Sequence, residues 1–199
     1  GFVDERLEIA IRPQFEDAWN FREGLAAVRL NRRWGFIDRT GQMVVKPQFY
    51  WVDNFSEGLA WAEGGENRSG YIDRSGSLVI RRRFWDARPF RNGHAGVMLE
   101  PGGLYALIDR AGAVVVKPSF EEIYPFVDGV AAARLPGEEE NCFTYVDLSG
   151  EPVMESRFAF AETFSHGLAE VMAGHRRFYI DTRGKPVWTP PPPPPDPPQ

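Results

Sequence analysis

Arg33-Trp34-Gly35-Phe36-Ile37-Asp38-Arg39-Thr40-Gly41-Gln42-Met43-Val44-Val45-Lys46-Pro47-Gln48-Phe49 decides the fold. Trp34 to Ile37 carries aromatic and β-branched side chains and reads as a strand that ends at Asp38. Asp38 can accept backbone amides two residues on, and Gly41 tolerates the positive φ that closes a hairpin. Met43 to Val45 then reads as the returning strand. Pro47 has no backbone N–H, which predicts the end of the ladder near Lys46-Pro47.

Outward from this stretch the same pattern recurs. First phenylalanines stand at Phe15, Phe49, Phe84, Phe120 and Phe158, at intervals of 34, 35, 36 and 38 residues. Each is followed by a second phenylalanine: Phe21, Phe55, Phe90, Phe126 and Phe164. A glycine and an alanine come next, as in Gly24-x-Ala26 and Gly58-x-Ala60, and an Asp-x-x-Gly turn follows at Asp38, Asp73, Asp109, Asp147 and Asp181. Self-similarity at such a period is the mark of a repeat architecture. Gly1-Phe2-Val3-Asp4 aligns with Gly35 to Asp38, with Leu7 in place of the turn glycine. The organisation read from this is a partial repeat at 1–14, five repeats at 15–48, 49–83, 84–119, 120–157 and 158–188, and a proline-rich tail at 189–199. The chain reads as a piece of a longer array, or as an array whose first cap has drifted.

Each unit reads as a three-stranded antiparallel meander, so the chain is all-β. The first strand, Leu25 to Leu30 in the first full unit, keeps small apolar residues at alternate positions (Ala26 and Val28), which marks one buried face. The intervening positions, Ala27, Trp61, Gly96, Ala132 and Glu170, vary and are expected to point outward. The linker Phe-x-x-φ-x-x-Phe places apolar residues three apart, which fits a single helical turn. The phenylalanine pairs are expected to form the spine of the core. Two arrangements fit: an open solenoidal or superhelical row, and a propeller-like closure. Five and a fraction units, with no fourth strand in the pattern, favour the open row.

Taken together, Arg33 to Gly41, Val45 to Phe49 and Gly58-Leu59-Ala60 resemble the bacterial WG-repeat family, also called KWG repeats. Only Trp34-Gly35 is a literal copy; the equivalent pairs are Ser69-Gly70, Tyr105-Ala106, Phe143-Thr144 and Arg177-Phe178. The resemblance implies a bacterial β-repeat protein and supplies no catalytic motif.

Composition narrows the function. Of 199 residues, 43% are hydrophobic and 26% charged, with 28 acidic against 23 basic side chains and a net charge of -5. That balance disfavours nucleic acid as a partner. One cysteine, Cys142, excludes an intramolecular disulfide framework. No apolar run reaches the roughly 18 residues of a membrane span. The histidines, His94, His166 and His175, have no metal-ligand spacing, and the regular aspartates read as turn caps, one per unit, where calcium would need several carboxylates together. No metal, cofactor or catalytic residue is expected, and the chain is not expected to be an enzyme. Arg32-Arg33, Arg81-Arg82-Arg83 and Arg176-Arg177 read as solvated hairpin tips and strand ends, with a local patch for a polysaccharide or membrane surface as the alternative. The tail should be an extended polyproline segment, a stiff spacer or a docking peptide.

Aromatic residues at non-repeating positions are the candidate binding residues: Trp19, Tyr50, Trp51, Trp61, Trp85 and Tyr124. Variable positions on one side of a repeat array form its binding face, and flat rings suit protein hot spots or sugar faces. The expected function is a non-catalytic scaffold for a protein or ligand, with a carbohydrate or cell-wall polysaccharide module as the alternative. An envelope-associated or secreted bacterial location is favoured over a cytoplasmic one.

Overall fold

The structure is a computed structural model. It describes residues 1–65, 69–81, 84–137 and 142–188. The chain divides into two compact units, Gly1–Pro118 and Ser119–Gln199. The insertion tip at 138–141 and the proline tail at 189–199 lie outside the described residues, so the protruding tip and the extended tail stand as sequence expectations.

In the first unit the partial repeat pairs β1 (Phe2–Val3) with β2 (Ile9–Ile11). The next sheet contains β3 (Asp17–Ala18), β4 (Leu25–Leu30), β5 (Arg33–Asp38) and β6 (Met43–Phe49), paired in chain order. Two more meanders follow. One has β7 (Trp51–Val52), β8 (Leu59–Glu63), β9 (Gly70–Asp73) and β10 (Leu78–Ile80). The other has β11 (Asp86–Ala87), β12 (His94–Met98), β13 (Tyr105–Asp109) and β14 (Val114–Phe120). In the second unit, β15 (Glu122–Ile123), β16 (Val130–Arg134) and β17 (Phe143–Asp147) form one sheet. The last sheet holds β18 (Phe160–Ala161), β19 (Leu168–Ala173), β20 (Arg176–Asp181) and β21 (Pro186–Trp188). Among the described residues every sheet is open, none closing on itself. Among the described residues no helix is long and apolar enough to cross a membrane.

The linker differs from the helical turn expected of it. Its centre is a two-residue strand that adds a fourth member to the meander: Asp17 pairs with Arg29 and Ala18 with Val28, and the same register recurs at Trp51–Glu63 and Asp86–Met98. The second phenylalanine then leads into a tight turn. Arg22 and Leu25 exchange both backbone hydrogen bonds, at 2.8 and 2.9 Å, across Glu23 (φ 50°) and Gly24 (φ 81°). Two central residues at positive φ make a type I′ hairpin, whose twist matches that of the strands it joins. A chain reversing this tightly places the linker beside the next strand, where ladder bonds are gained that a helical turn would forgo.

Proline does not end the third strand either. β6 runs through Pro47 and β14 through Pro118. Trp34 pairs with Phe49 and Phe36 with Val45, so Lys46-Pro47-Gln48 bulge opposite Gly35. An edge strand with a bulge has no ladder bond for the proline to break. The bulge also explains the glycine of Trp34-Gly35. A Cβ there would meet the Val45 carbonyl oxygen head-on and stand 2.7 Å from the Pro47 nitrogen. Gly1 stands in the same relation to Pro13, at 2.8 Å. In the fourth full repeat the third strand is reduced to isolated bridges, Val146–Pro152 and Phe143–Phe158. Pro152 takes the place of Met43 and removes an N–H from the start of that strand.

The aspartates cap their turns. Asp38 Oδ1 accepts the amides of Thr40 and Gln42 at 2.8 and 3.0 Å, and Asp4, Asp73, Asp109, Asp147 and Asp181 repeat the pair of bonds. The turn glycines also carry a packing constraint: a Cβ on Gly76 would lie 2.7 Å from Val45 Cγ1, and one on Gly112 2.7 Å from Ile80 Cγ2. These two turns therefore rest on a residue of the preceding repeat.

At Ala27, Gly96 and Ala132 the first strands are buried on both faces, which overturns the outward reading of those variable positions; Trp61 and Glu170 are half-buried. Ala26, Val28 and Ile37 pack with Ile11, Phe2 and Phe21. On the opposite face, Ala27, Trp34 and Phe36 pack with Phe49, Val52, Phe55, Ala60 and Ala62. Gly96 and Ala132 are buried too. A sheet sandwiched between two neighbours has no outward face in its middle; only its edges and turns meet solvent.

The phenylalanine spine is present. From Phe49 to Phe164, all eight repeat phenylalanines are buried; Phe15 and Phe21 are half-buried. Four of the five second phenylalanines meet an aromatic ring of the preceding repeat in a constant way: Phe2–Phe21 at 4.8 Å, Phe36–Phe55 at 4.7 Å, Tyr71–Phe90 at 4.8 Å and Tyr145–Phe164 at 4.8 Å. Tilted and edge-on rings at this distance add about 0.5–1.5 kcal/mol to the burial itself.

Candidate binding surface

The linker strands β3, β7 and β11 are edges of their sheets, and their side chains are the ones free to vary. In the first unit they carry two clusters and a recess.

The first cluster is aromatic. Trp19 lies 5.1 Å from Trp34 and 5.4 Å from Trp51, and Trp34 lies 6.3 Å from Trp51. Trp34 is buried, Trp19 half-buried, and Trp51 is 49% exposed. Beside them Tyr50 is 53% exposed, and the Arg33 guanidinium sits over its ring at 3.7 Å. The Arg29 guanidinium lies over Trp34 at 5.8 Å. The rings are tilted by 53–70° to each other, so they form an edge-to-face cluster instead of a flat platform.

The recess lies between the second and third full repeats. Trp61, Glu63, Phe84 and Trp85 line a cavity of about 220 Å³. Trp61 is half-buried, with its ring 5.8 Å from both Tyr71 and Phe84. Trp85 is 62% exposed.

The second cluster is polar. The Tyr105 hydroxyl donates to the Asp86 carboxylate, and Arg88 Nη2 donates to the same hydroxyl oxygen at 3.0 Å. Arg88 Nη2 also lies 3.5 Å from Asp86 Oδ2, and the guanidinium covers the Tyr105 ring at 5.2 Å. The Tyr71 hydroxyl donates to the Arg88 carbonyl at 2.6 Å, as Tyr145 does to Glu162 at 2.6 Å in the second unit. Burial pushes the Tyr105 hydroxyl up to about 12, helped by its bond to Asp86. Burial also pushes Tyr71 up, with the charges of Asp53 and Asp86 adding to it. Asp53 is raised by burial as well; the Asn54 amide and the Arg88 charge oppose the rise, and the Asp86 charge reinforces it. Phenols held this firmly protonated, with their hydrogens engaged, suit a structural network. Among the described residues no three His, Cys, Asp or Glu side chains are grouped so as to hold a metal ion.

Of the six aromatics singled out in the sequence, the structure joins Trp19 to Trp51 and Trp61 to Trp85, with Tyr50 beside Trp51 in the chain. Tyr124 is in the second unit, where it stacks on Phe143 at 5.8 Å with the planes 6° apart. Arg33 and Glu63 were not anticipated. Arg33, expected at a solvated hairpin tip or strand end, lies over the Tyr50 ring. Glu63 has no repeating counterpart, since the equivalent residues are Arg29, Met98, Arg134 and Met172.

Stacked four-stranded meanders of this kind define a tandem β-repeat scaffold. The WG containing repeat matches five consecutive segments, residues 1–33, 34–64, 70–100, 105–137 and 143–174. The chain belongs to the WG-repeat family, a scaffold family without catalytic machinery of its own. No curated protein matches the chain.

Among solved structures the chain is similar to a eukaryotic initiation factor at 13% identity and a TM-score of 0.53, covering 89% of this chain and 55% of that one. It is also similar to virginiamycin B lyase from Staphylococcus aureus at 13% identity and a TM-score of 0.49, covering 85% of this chain and 67% of that one. A third is PorZ, a surface component of the type-IX secretion system of Porphyromonas gingivalis, at 12% identity and a TM-score of 0.41, covering 81% of this chain and 25% of that one. At these identities the likeness is one of fold. The chain spans between 25% and 67% of the length of these three structures.

Proposed function

We propose that this WG-repeat chain is a non-catalytic binding scaffold that engages a protein partner along the linker edge of its first unit. The observation that carries the reading is the exposure of Tyr50, Trp51 and Trp85 on consecutive linkers, with Arg33 stacked on Tyr50. Tryptophan, tyrosine and arginine are the residues most enriched at interface hot spots. Large rings at an edge otherwise cost solubility, and a partner that covers them removes that cost. An envelope or secreted bacterial setting goes with this reading.

The polysaccharide alternative rests on the same exposed rings. The tilt among Trp19, Trp34 and Trp51 weighs against it, because a sugar platform needs roughly coplanar faces.

A photo-crosslinking amino acid placed at Tyr50 in the full chain tests the proposal in extracts of the source cells. The expected result is a discrete protein adduct that is lost in a Trp51→Ala, Trp85→Ala double variant and absent when the crosslinker sits at Ser75, in an Asp-capped turn. Equal labelling at both positions would overturn the edge reading. Retention of the chain on a glycan array, with no protein adduct, would move the assignment to the polysaccharide alternative.

A further inference from the structure

The recess between the second and third full repeats differs in chemistry from the rest of the edge. Three aromatic side chains, Trp61, Phe84 and Trp85, share its walls with one acidic one, Glu63. The Glu63 carboxylate has no hydrogen-bond or ion-pair partner among the described residues, whereas the acidic side chains nearby are engaged: Asp53 with the Asn54 amide and Asp86 with Tyr105. Ring faces carry negative potential and attract cations within about 6 Å of the centroid. Glu63 and the partly exposed rings of Trp61 and Trp85, with the buried Phe84 behind them, therefore give the recess a negative potential.

We propose that this recess is a cation cage for a quaternary ammonium group of the choline type. The inference rests on the linker edge being a binding surface and names a ligand class for one part of it. The choice among cations follows from hydration. A primary ammonium such as a lysine head has three N–H donors to satisfy, and the side chains lining the recess offer one carboxylate. A guanidinium has five donors in a plane. A trimethylammonium has none: its charge is spread over methyl groups that pack against rings, and Glu63 supplies the counter-charge without hydrogen-bond geometry. A sugar would need several hydroxyl partners at once, which one carboxylate does not provide.

Titration of the full chain with choline chloride, followed by tryptophan fluorescence and calorimetry at constant ionic strength, tests this. Parallel titrations use ethanolamine, the neutral isostere 3,3-dimethylbutan-1-ol, and methyl glucoside. Choline is expected to bind saturably and about tenfold more tightly than ethanolamine or the isostere. Glu63→Gln should weaken choline about tenfold and bring it level with the isostere. Trp85→Ala, at an exposed position that leaves the core intact, should abolish saturation with an unchanged thermal melt. An isostere that binds as tightly as choline would make the recess merely apolar and overturn the proposal. Saturable binding of the glucoside in place of choline, or no saturable choline signal, would do the same. In the last case, a persisting protein adduct at Tyr50 would leave the scaffold reading standing. Choline binding with no adduct would leave the cage standing and remove the partner.

Discussion

Glu23 holds the backbone of Glu57. The carboxylate of Glu23 accepts the Glu57 amide at 2.7 Å and the Gly58 amide at 2.9 Å, and Glu57 in turn accepts the amides of Asn92 and Gly93 at 2.7 and 3.0 Å. These amides belong to type I′ turns, where both central residues have positive φ and their N–H groups point the same way out of the hairpin. A bidentate carboxylate fits such a pair, and charge-assisted bonds of this kind are the stronger ones. The arrangement clamps three successive repeats at one corner, and Arg110 closes it with a bond to the Glu57 carbonyl at 2.8 Å.

Glu57→Gln should therefore destabilise the first unit. One carboxamide oxygen can serve one amide, while the NH₂ group opposes the other. The loss expected is about 1–2 kcal/mol, read as a lower urea midpoint at an unchanged m-value. Glu23→Gln should cost a similar amount. If neither moved the midpoint, the clamp would be a solvent-exposed contact without weight.

Gly35→Ala and Gly58→Ala should differ for reasons visible in their surroundings. At Gly35 a Cβ meets fixed backbone on the bulged strand, so the strands must separate, at a cost of about 3 kcal/mol or more. At Gly58 there is nothing within 4 Å of a Cβ, but φ is 77°. The cost there is the left-handed strain alone, about 1–2 kcal/mol. Thermal melts of the two variants should rank in that order.

Leu7 occupies the position of the turn glycine in the partial repeat. It adopts φ 63° and is 81% exposed, so it is strained and buries nothing in return. Leu7→Gly relieves about 1–2 kcal/mol of strain and gives back about half through the entropy of the unfolded chain. The expected outcome is a net local stabilisation, read as slower amide exchange at Ile9 and Ile11.

Asp53→Asn should change how stability depends on pH. The Asp53 carboxyl is raised above its ordinary 3.8, chiefly by burial. A raised carboxyl makes its favourable contribution below the unfolded value and loses it as pH rises through the folded one, so at neutral pH the ionised group is a burden. Asparagine keeps an acceptor for the Asn54 amide without the charge. The variant should have a higher urea midpoint at pH 7, with the gain closing as pH falls through the raised folded value towards 3.8 and absent below it. A gain that persists at low pH would point to packing as its source. A loss at pH 7 would mean that the attraction to Arg88 outweighs the burial cost.

Much of this architecture is local chemistry and was legible along the chain. An aspartate followed three residues later by glycine caps its own turn in five copies, and Asp4 does so with Leu7 in the glycine's place. Phenylalanines at a fixed phase mark core volume, and the eight from Phe49 onward are buried. The linker was misread because its strand is two residues long, too short for any alternation to show. What defines it is the partner strand, as in Ala18 beside Val28.

Among the candidate site residues the chain pointed to the right class but not to the groupings. It marked Trp19, Tyr50, Trp51, Trp61, Trp85 and Tyr124 as departures from the repeat. It could not say that Trp19 meets Trp51, since those rings are brought together by the stacking of one sheet on the next. Arg33 and Glu63 carried no signal, because a single charged residue on a strand looks the same whether it faces water or an aromatic wall. The Glu-Gly pairs at Glu23-Gly24 and Glu57-Gly58 did repeat and could have suggested a shared role for the carboxylate.

The sequence by itself determined the repeat length, the caps, the glycines and the rings of the core, all of which depend on residues within one unit. Only the tertiary structure decided the burial of both faces of the first strands, the carboxylate clamp across repeats and the aromatic recess. Those features depend on groups about one repeat or more apart in the chain, and their distances are set by how one meander seats on its neighbour.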